Sequence, residues 1–158
     1  MYVPLFVIII NLLWSQITIS EVMFDLDGAD SPNEFIELYN FSDENIPFQN
    51  WLIADKFSTD EITPDGFTIF PANQFAVILE GDYDGFYDAF FPADVLLIYV
   101  DDLSIGNGLG NSADSLFLIN ESGLIISEMG WNSTIEPGYS LDRKSKRLNS
   151  SHTSISYA

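Results

Sequence analysis

Between residues 16 and 141 apolar and polar side chains alternate with a period of two, run after run, and Gly, Pro, Asn and Asp fall between the runs. Successive side chains of a strand point to opposite faces, so many short alternating runs punctuated by turn residues predict an all-β sandwich or barrel. No helical stripe of useful length appears. The expected strands are 17–24, 34–40, 51–54, 66–70, 74–80, 95–100, 114–120 and 123–130. Within 34–39, one parity carries Ile36 and Leu38 and the other carries Phe35, Glu37 and Tyr39; the Ile36 and Leu38 face is predicted to be the core. Leu116, Leu118 and the apolar run 124–126 supply facing residues, and Glu121, Ser122 and Gly123 read as a hairpin loop with glycine at a left-handed position. The segment 81–92, GDYDGFYDAFFP, predicts a short helix or an irregular loop.

Composition narrows what such a fold is for. The 158 residues carry 24 acids against 5 bases, a formal charge of -19, which repels phosphate backbones and anionic headgroups. Nucleic acid is therefore not an expected partner. An apolar content of 47% and an aromatic content of 15% are too high for a disordered acidic tail. The chain has no Cys, which excludes disulfides, thiolate nucleophiles and thiolate-bound metal.

Both ends differ from the middle. Residues 1–14, MYVPLFVIIINLLW, are apolar apart from Asn11, uncharged, and followed by Ser15. Such a run, at about ten residues, is too short to span a bilayer and has the layout of a secretory signal, so 1–15 is expected to be a signal peptide and stable membrane insertion is not expected. Residues 142–158, DRKSKRLNSSHTSISYA, hold four of the five bases, Arg143, Lys144, Lys146 and Arg147, and the sole histidine, His152. This string resembles a translated sequencing adapter and is expected to be an artefactual tail, not a domain. The domain proper is then 16–141, with 23 acids, one base at Lys56, a formal charge of -22 and no His. Such an acidic surface suits a salt-rich medium, where repulsion is screened.

Without His or Cys, a Ser or Thr nucleophile lacks its usual base. Paired carboxylates can hydrolyse glycosides at the right spacing, and Glu34 with Glu37, Asp82 with Asp84, or Asp101 with Asp102 are the available pairs. Glu34 and Glu37 fall on opposite strand faces, which places them poorly for one bond. Asp25, Asp27 and Asp30 form an acid-rich loop with oxygen ligands two and three residues apart, so calcium is the one cofactor these residues suggest, against a competing reading as solvated turn residues. The string GNGLGN at 106–111 has neither the following helix nor the Lys of a phosphate loop and reads as turn chemistry. Tyr83, Phe86, Tyr87, Phe90 and Phe91 read as loop packing or as an aromatic platform for a sugar or protein.

The order of motifs carries a resemblance. ITISEV at 17–22, EFIELYN at 34–40, Trp51 with a short strand after it, GFTIFPANQFAVIL at 66–79 and IGNGLGNSADSLFLINESGLIISEMGW at 105–131 together resemble the lamin tail domain family. The resemblance implies an immunoglobulin-like β-sandwich, used in nuclear lamins and, in bacteria, as a secreted module often attached to enzymes or surface anchors. The signal-like start favours the extracellular branch. By position, the resemblance carries over Glu37 and Asn40 of the second-strand motif, the aromatic Trp51, and the Gly-Asn turn at Gly106, Asn107, Gly108 and Asn111. Residues 138–141 match the start of the family's closing motif, normally finished by an acid and an Arg; Asp142 and Arg143 fit that ending, and the adapter translation gives the same two residues. The expected function is a non-catalytic, secreted binding or adhesion module of a larger extracellular protein, with an extracellular protein or polysaccharide as partner. The alternative is an accessory domain of an appended extracellular hydrolase or nuclease.

Overall fold

A computed structural model describes residues 16–143; the expected signal at 1–15 and nearly all of the tail at 142–158 lie outside the described residues. Eleven strands follow one another: β1 (Ile17–Met23), β2 (Phe35–Asn40), β3 (Ile46–Pro47), β4 (Leu52–Ala54), β5 (Thr59–Pro64), β6 (Ile69–Phe70), β7 (Phe75–Leu79), β8 (Leu96–Val100), β9 (Asp114–Ile119), β10 (Ile125–Trp131) and β11 (Leu141–Asp142). Nine of them form one ladder in the order β10-β9-β4-β5-β8-β7-β2-β1-β11, and β3 pairs with β6. All neighbours are antiparallel except β7 and β8.

The ladder folds over at β5, whose residues 59–61 pair with β4 while 62–64 pair with β8. The two halves thereby face each other as the layers of an all-β sandwich. Their edges, β1 and β10, meet along a seam. Each strand has a register shift there, between Ile19 and Glu21 in β1 and between Ile125 and Ser127 in β10, and bulges of this kind re-aim an edge strand. The Ile19 N–H donates to Ser127 Oγ at 3.0 Å, and Arg143 donates to the carbonyls of Ile19 and Glu128. An edge that would otherwise present open backbone groups is thus closed by side chains.

Alternation accounts for the core. Ile36 and Leu38 are fully buried, as their parity predicts, and meet Ile17, Ile19, Ile53, Ile78, Ile98, Leu116 and Leu118 between the layers. Trp131 stacks on Phe24 with ring centroids 4.4 Å apart, and Phe48 packs on Trp51 at 4.6 Å. The other parity of β2 is only partly solvated. Phe35 joins Met23, Val77, Leu79 and Tyr87 in a second apolar cluster on the outer face, roofed by the segment 81–95. That segment is a series of turns without a helix, which settles the expectation in favour of the irregular loop. Tyr87 is buried, packs edge-on against Phe35 at 5.2 Å and donates its hydroxyl proton to the Asn33 carbonyl at 3.0 Å. The hairpin loop after β9 has Gly123 at φ 77, with Asn120 Oδ1 accepting from the Ser122 and Leu124 N–H groups.

Three elements depart from the expected set. β3, β5 and β11 were not anticipated, and the expected domain boundary after Leu141 falls inside β11, which pairs with β1 at Glu21 and Val22.

Candidate functional site

Two groups of acidic side chains stand out, one buried and one on the rim of a cleft. The first is the 105–111 loop, wrapped around carboxylates that converge from separate elements. Gly106 N–H donates to Asp60 Oδ2 at 2.6 Å, Asn107 N–H to Asp55 Oδ2 at 2.9 Å, Leu109 N–H to Glu34 Oε2 at 3.2 Å and Gly110 N–H to Asp114 Oδ2 at 3.0 Å. A loop of successive backbone N–H groups attracts anions, and here the oxygens of the protein's own carboxyl groups take that place. The glycines make the approach possible. Gly106 lies at φ 64, and a Cβ there would stand 2.4 Å from Asp55 Oδ2. Trp131 Nε1 fixes the far side of the loop by donating to the Gly110 carbonyl at 2.7 Å.

Burial sets the charge state of this cluster. Removal of Glu34 from water pushes its carboxyl up to about 8; the Leu109 N–H opposes that rise, and Glu80, Asp30 and Asp114 add to it. Glu80, fully buried, is pushed up to about 7 by the same cause, opposed by the Glu34 N–H and Ser31 and reinforced by Asp82 and Asp30. Asp60 rises to about 6, again through burial, against the Gly106 N–H. Glu80 Oε2 accepts from the Glu34 N–H at 3.0 Å, while Glu80 Oε1 and Asn33 Oδ1 are buried acceptors without a hydrogen-bond partner. A neutral Glu80 lowers the cost of leaving that oxygen dry.

The second feature is a cleft of about 360 Å³ on the outer face, between the 81–95 segment and strands β1, β2 and β7. Its floor is Phe35 and Val77, its walls are Phe75, Phe90 and Phe91, and its rim carries Glu21, Glu37 and Asp94. Glu21 and Glu37 are direct cross-strand partners. Ser20 donates to Glu37 Oε1 at 2.6 Å and Ser140 donates to Glu21 Oε1. Burial raises the Glu21 pKa above the ordinary carboxylate value, Ser140 lowers it and Asp142 raises it further. Gln74 bridges the open end, donating to the Asp94 carbonyl at 2.8 Å.

The residues singled out in the sequence separate clearly. Asp25 and Asp30 both accept from Asn111 Nδ2, at 3.3 and 3.1 Å, and Asp30 Oδ1 also accepts from the Leu26 N–H at 2.8 Å. Asp27 is exposed and does not share that amide. Among the described residues no group of three or more His, Cys, Asp or Glu side chains is gathered as a metal ion requires. Asn111 thus supplies the N–H donors to which Asp25 and Asp30 turn. Asn40 is a structural knot: its Nδ2 donates to the carbonyls of Glu44, Phe70 and Pro71, and its Oδ1 accepts from Ser42. Trp51 belongs to the core. The GNGLGN string forms turns, with Gly106 and Gly108 at positive φ. Asp55, Asp60, Glu80 and Asp114 were not foreseen as a group; a polar residue at an inward strand parity is the signal that exposes them, clearest for Asp60 beside Ile62 in β5.

A family model described as Lamin Tail Domain matches residues 14–133, well over half of the chain. No curated protein matches it.

Proposed function

Since this chain belongs to the lamin tail domain family, whose members are immunoglobulin-like, non-enzymatic domains, we propose that it acts as a non-catalytic binding or adhesion module of a larger extracellular protein. The observation that carries the reading is the fate of its acids. Glu34, Asp55, Asp60 and Asp114, the densest carboxylate cluster, each accept a backbone N–H of the 106–110 loop. Carboxylates held in this way build a rigid loop in place of a reactive pair, and Glu21 and Glu37, which do share a cleft, each have Oε1 taken up by a serine hydroxyl, where a glycosidase pair would turn its oxygens to the bond between them. Residues 16–143 also contain no His or Cys to activate a hydroxyl or serve as a nucleophile. The signal-like stretch 1–15 and the acidic surface favour an extracellular setting.

The test joins location to binding. Protease applied to intact producing cells should degrade the protein, or the protein should accumulate in the medium. Purified full chain should bind surface protein or polysaccharide extracted from such cells saturably and without turnover. Protection from external protease together with absence from the medium refutes the extracellular reading, and steady consumption of the extracted material refutes the non-catalytic one.

A further inference from the structure

A cleft of about 470 Å³, separate from the acid-rimmed one, opens where β5 leaves one layer of the sandwich for the other. Leu52, Pro64 and Phe67 lie half-buried along it. Phe67 is braced from within by the buried Phe48, with ring centroids 6.3 Å apart and 17° between the planes, which fixes an apolar shelf. Around that shelf stand the exposed side chains of Gln49, Asn50, Glu61, Thr63 and Thr68. Elsewhere the chain ties its amides down: Asn45, Asn73, Gln74, Asn111 and Asn120 each hydrogen-bond within the fold. Among the described residues, the five polar side chains of this cleft make no such bond.

Resting on the binding-module reading above, we propose that this cleft binds a neutral polysaccharide, one hexose ring lying on Phe67 and its hydroxyls bonded to the surrounding side chains. Amides and hydroxyls both donate and accept, as neighbouring sugar hydroxyls do, while the Glu61 carboxylate accepts. The apolar C–H face of a pyranose suits an aromatic shelf, and small-molecule sites combine such a shelf with a few polar groups that fix orientation. Charge narrows the class. A formal charge of -22 over residues 16–143 repels uronate and sulfate polymers, and Glu61 is the one charged side chain lining the cleft. An extended peptide is matched less well, because strand addition needs an open ladder. Leu52 already pairs with Glu61 on one side and Ile119 on the other, the Ile62 N–H donates to the Trp51 carbonyl, and Thr63 and Pro64 pair with β8.

The test titrates the full chain with three neutral sugars, cellohexaose, mannohexaose and N-acetylchitohexaose, by calorimetry. At least one should bind with a Kd at or below about 1 mM. Its affinity should change less than about twofold between about 0.1 and about 0.5 M sodium chloride, because an uncharged ligand leaves no ion pair to screen. Gln49→Ala combined with Asn50→Gly, which keeps the left-handed backbone at φ 57, should weaken binding at least about tenfold. Phe86→Ser, which removes an exposed aromatic on the 81–95 segment, should leave it unchanged. Should the double variant fail to fold, Thr68→Ala alone should still weaken binding at least about threefold. Failure of all three sugars, or undiminished binding by the folded variants, overturns the proposal. Should the sugars fail while extracted surface protein still binds saturably, this sugar site is wrong and the binding-module reading stands, and loss of that protein binding in the double variant would make the occupant of the cleft a protein. Failure of sugars and extract alike removes the module reading too, and shortening of a hexamer refutes its non-catalytic part.

Discussion

Asp55 holds two turns with one carboxylate: Oδ1 accepts from the Phe57 and Ser58 N–H groups at 2.6 Å each, and Oδ2 accepts from Asn107. Gly106 must lie against it, so Gly106→Ala should destabilise the fold by about 1–3 kcal/mol through the positive φ and the clash with Asp55, read as a lower urea midpoint with an unchanged slope. Protons matter equally at this scale. Glu34 and Glu80 are raised from 4.5 to about 8 and about 7, so the folded chain binds their protons more tightly than the unfolded chain does. That contribution is whole below 4.5 and is lost as pH rises through 7 and 8. Thermal midpoints should therefore fall between about pH 5 and about pH 9. Glu34→Gln removes the titration with the highest pKa, so its midpoint curve should level off nearer the Glu80 value; an unaltered curve would show that Glu34 ionises freely. At Asn111 the amide donates where a cation would sit. Millimolar calcium should leave the melting temperature unchanged, and Asn111→Asp, by placing a third carboxylate beside Asp25 and Asp30, should make it rise with calcium.

Among the elements, the seam between β1 and β10 depends on the last residue described. Arg143 donates to Ile19 and Glu128 carbonyls and reaches Ser127 Oγ at 3.4 Å, and its partial burial lowers its pKa, with Glu128 opposing. Arg143→Ala should expose those carbonyls and speed amide exchange at 17–20 and 126–128 before it affects β2 or β7; uniform acceleration across all strands would instead mark global destabilisation. The same seam shows where sequence reading stops. Strands such as β1, β2 and β9 were legible because alternation and burial coincide. β5 was not, because its inward position Asp60 is a carboxylate held by a loop more than forty residues away, and TDEITP then looks like a turn. β3 and β11 have two residues each, too short for any period to register. The carboxylate-held loop was half legible: its glycines declared a turn, but the acids that grip it come from four separate stretches, and only the folded ladder brings them together.

For the molecule as a whole, 24 acids against Lys56 and Arg143 in residues 16–143 set a formal charge of -22 on one small sandwich. Self-repulsion at this density opposes compaction, and salt weakens it because the screening length falls from about 10 Å at 0.1 M to about 3 Å at 1 M. The unfolding midpoint should therefore rise with sodium chloride. The size of the rise should itself depend on pH, because retained protons on Glu34, Glu80 and Asp60 relieve part of the charge near neutrality and below. Above about pH 8 those carboxyls are ionised within a water-poor cluster, where every added charge faces Asp30, Asp55 or Asp114. Salt should accordingly raise the midpoint more at about pH 9 than at about pH 6, with Glu34→Gln narrowing the gap. A pH-independent salt effect would assign the repulsion to the exposed acids of the rim and loops alone, and a midpoint that falls with salt would mean that attraction between the few bases and their neighbours outweighs repulsion among the acids.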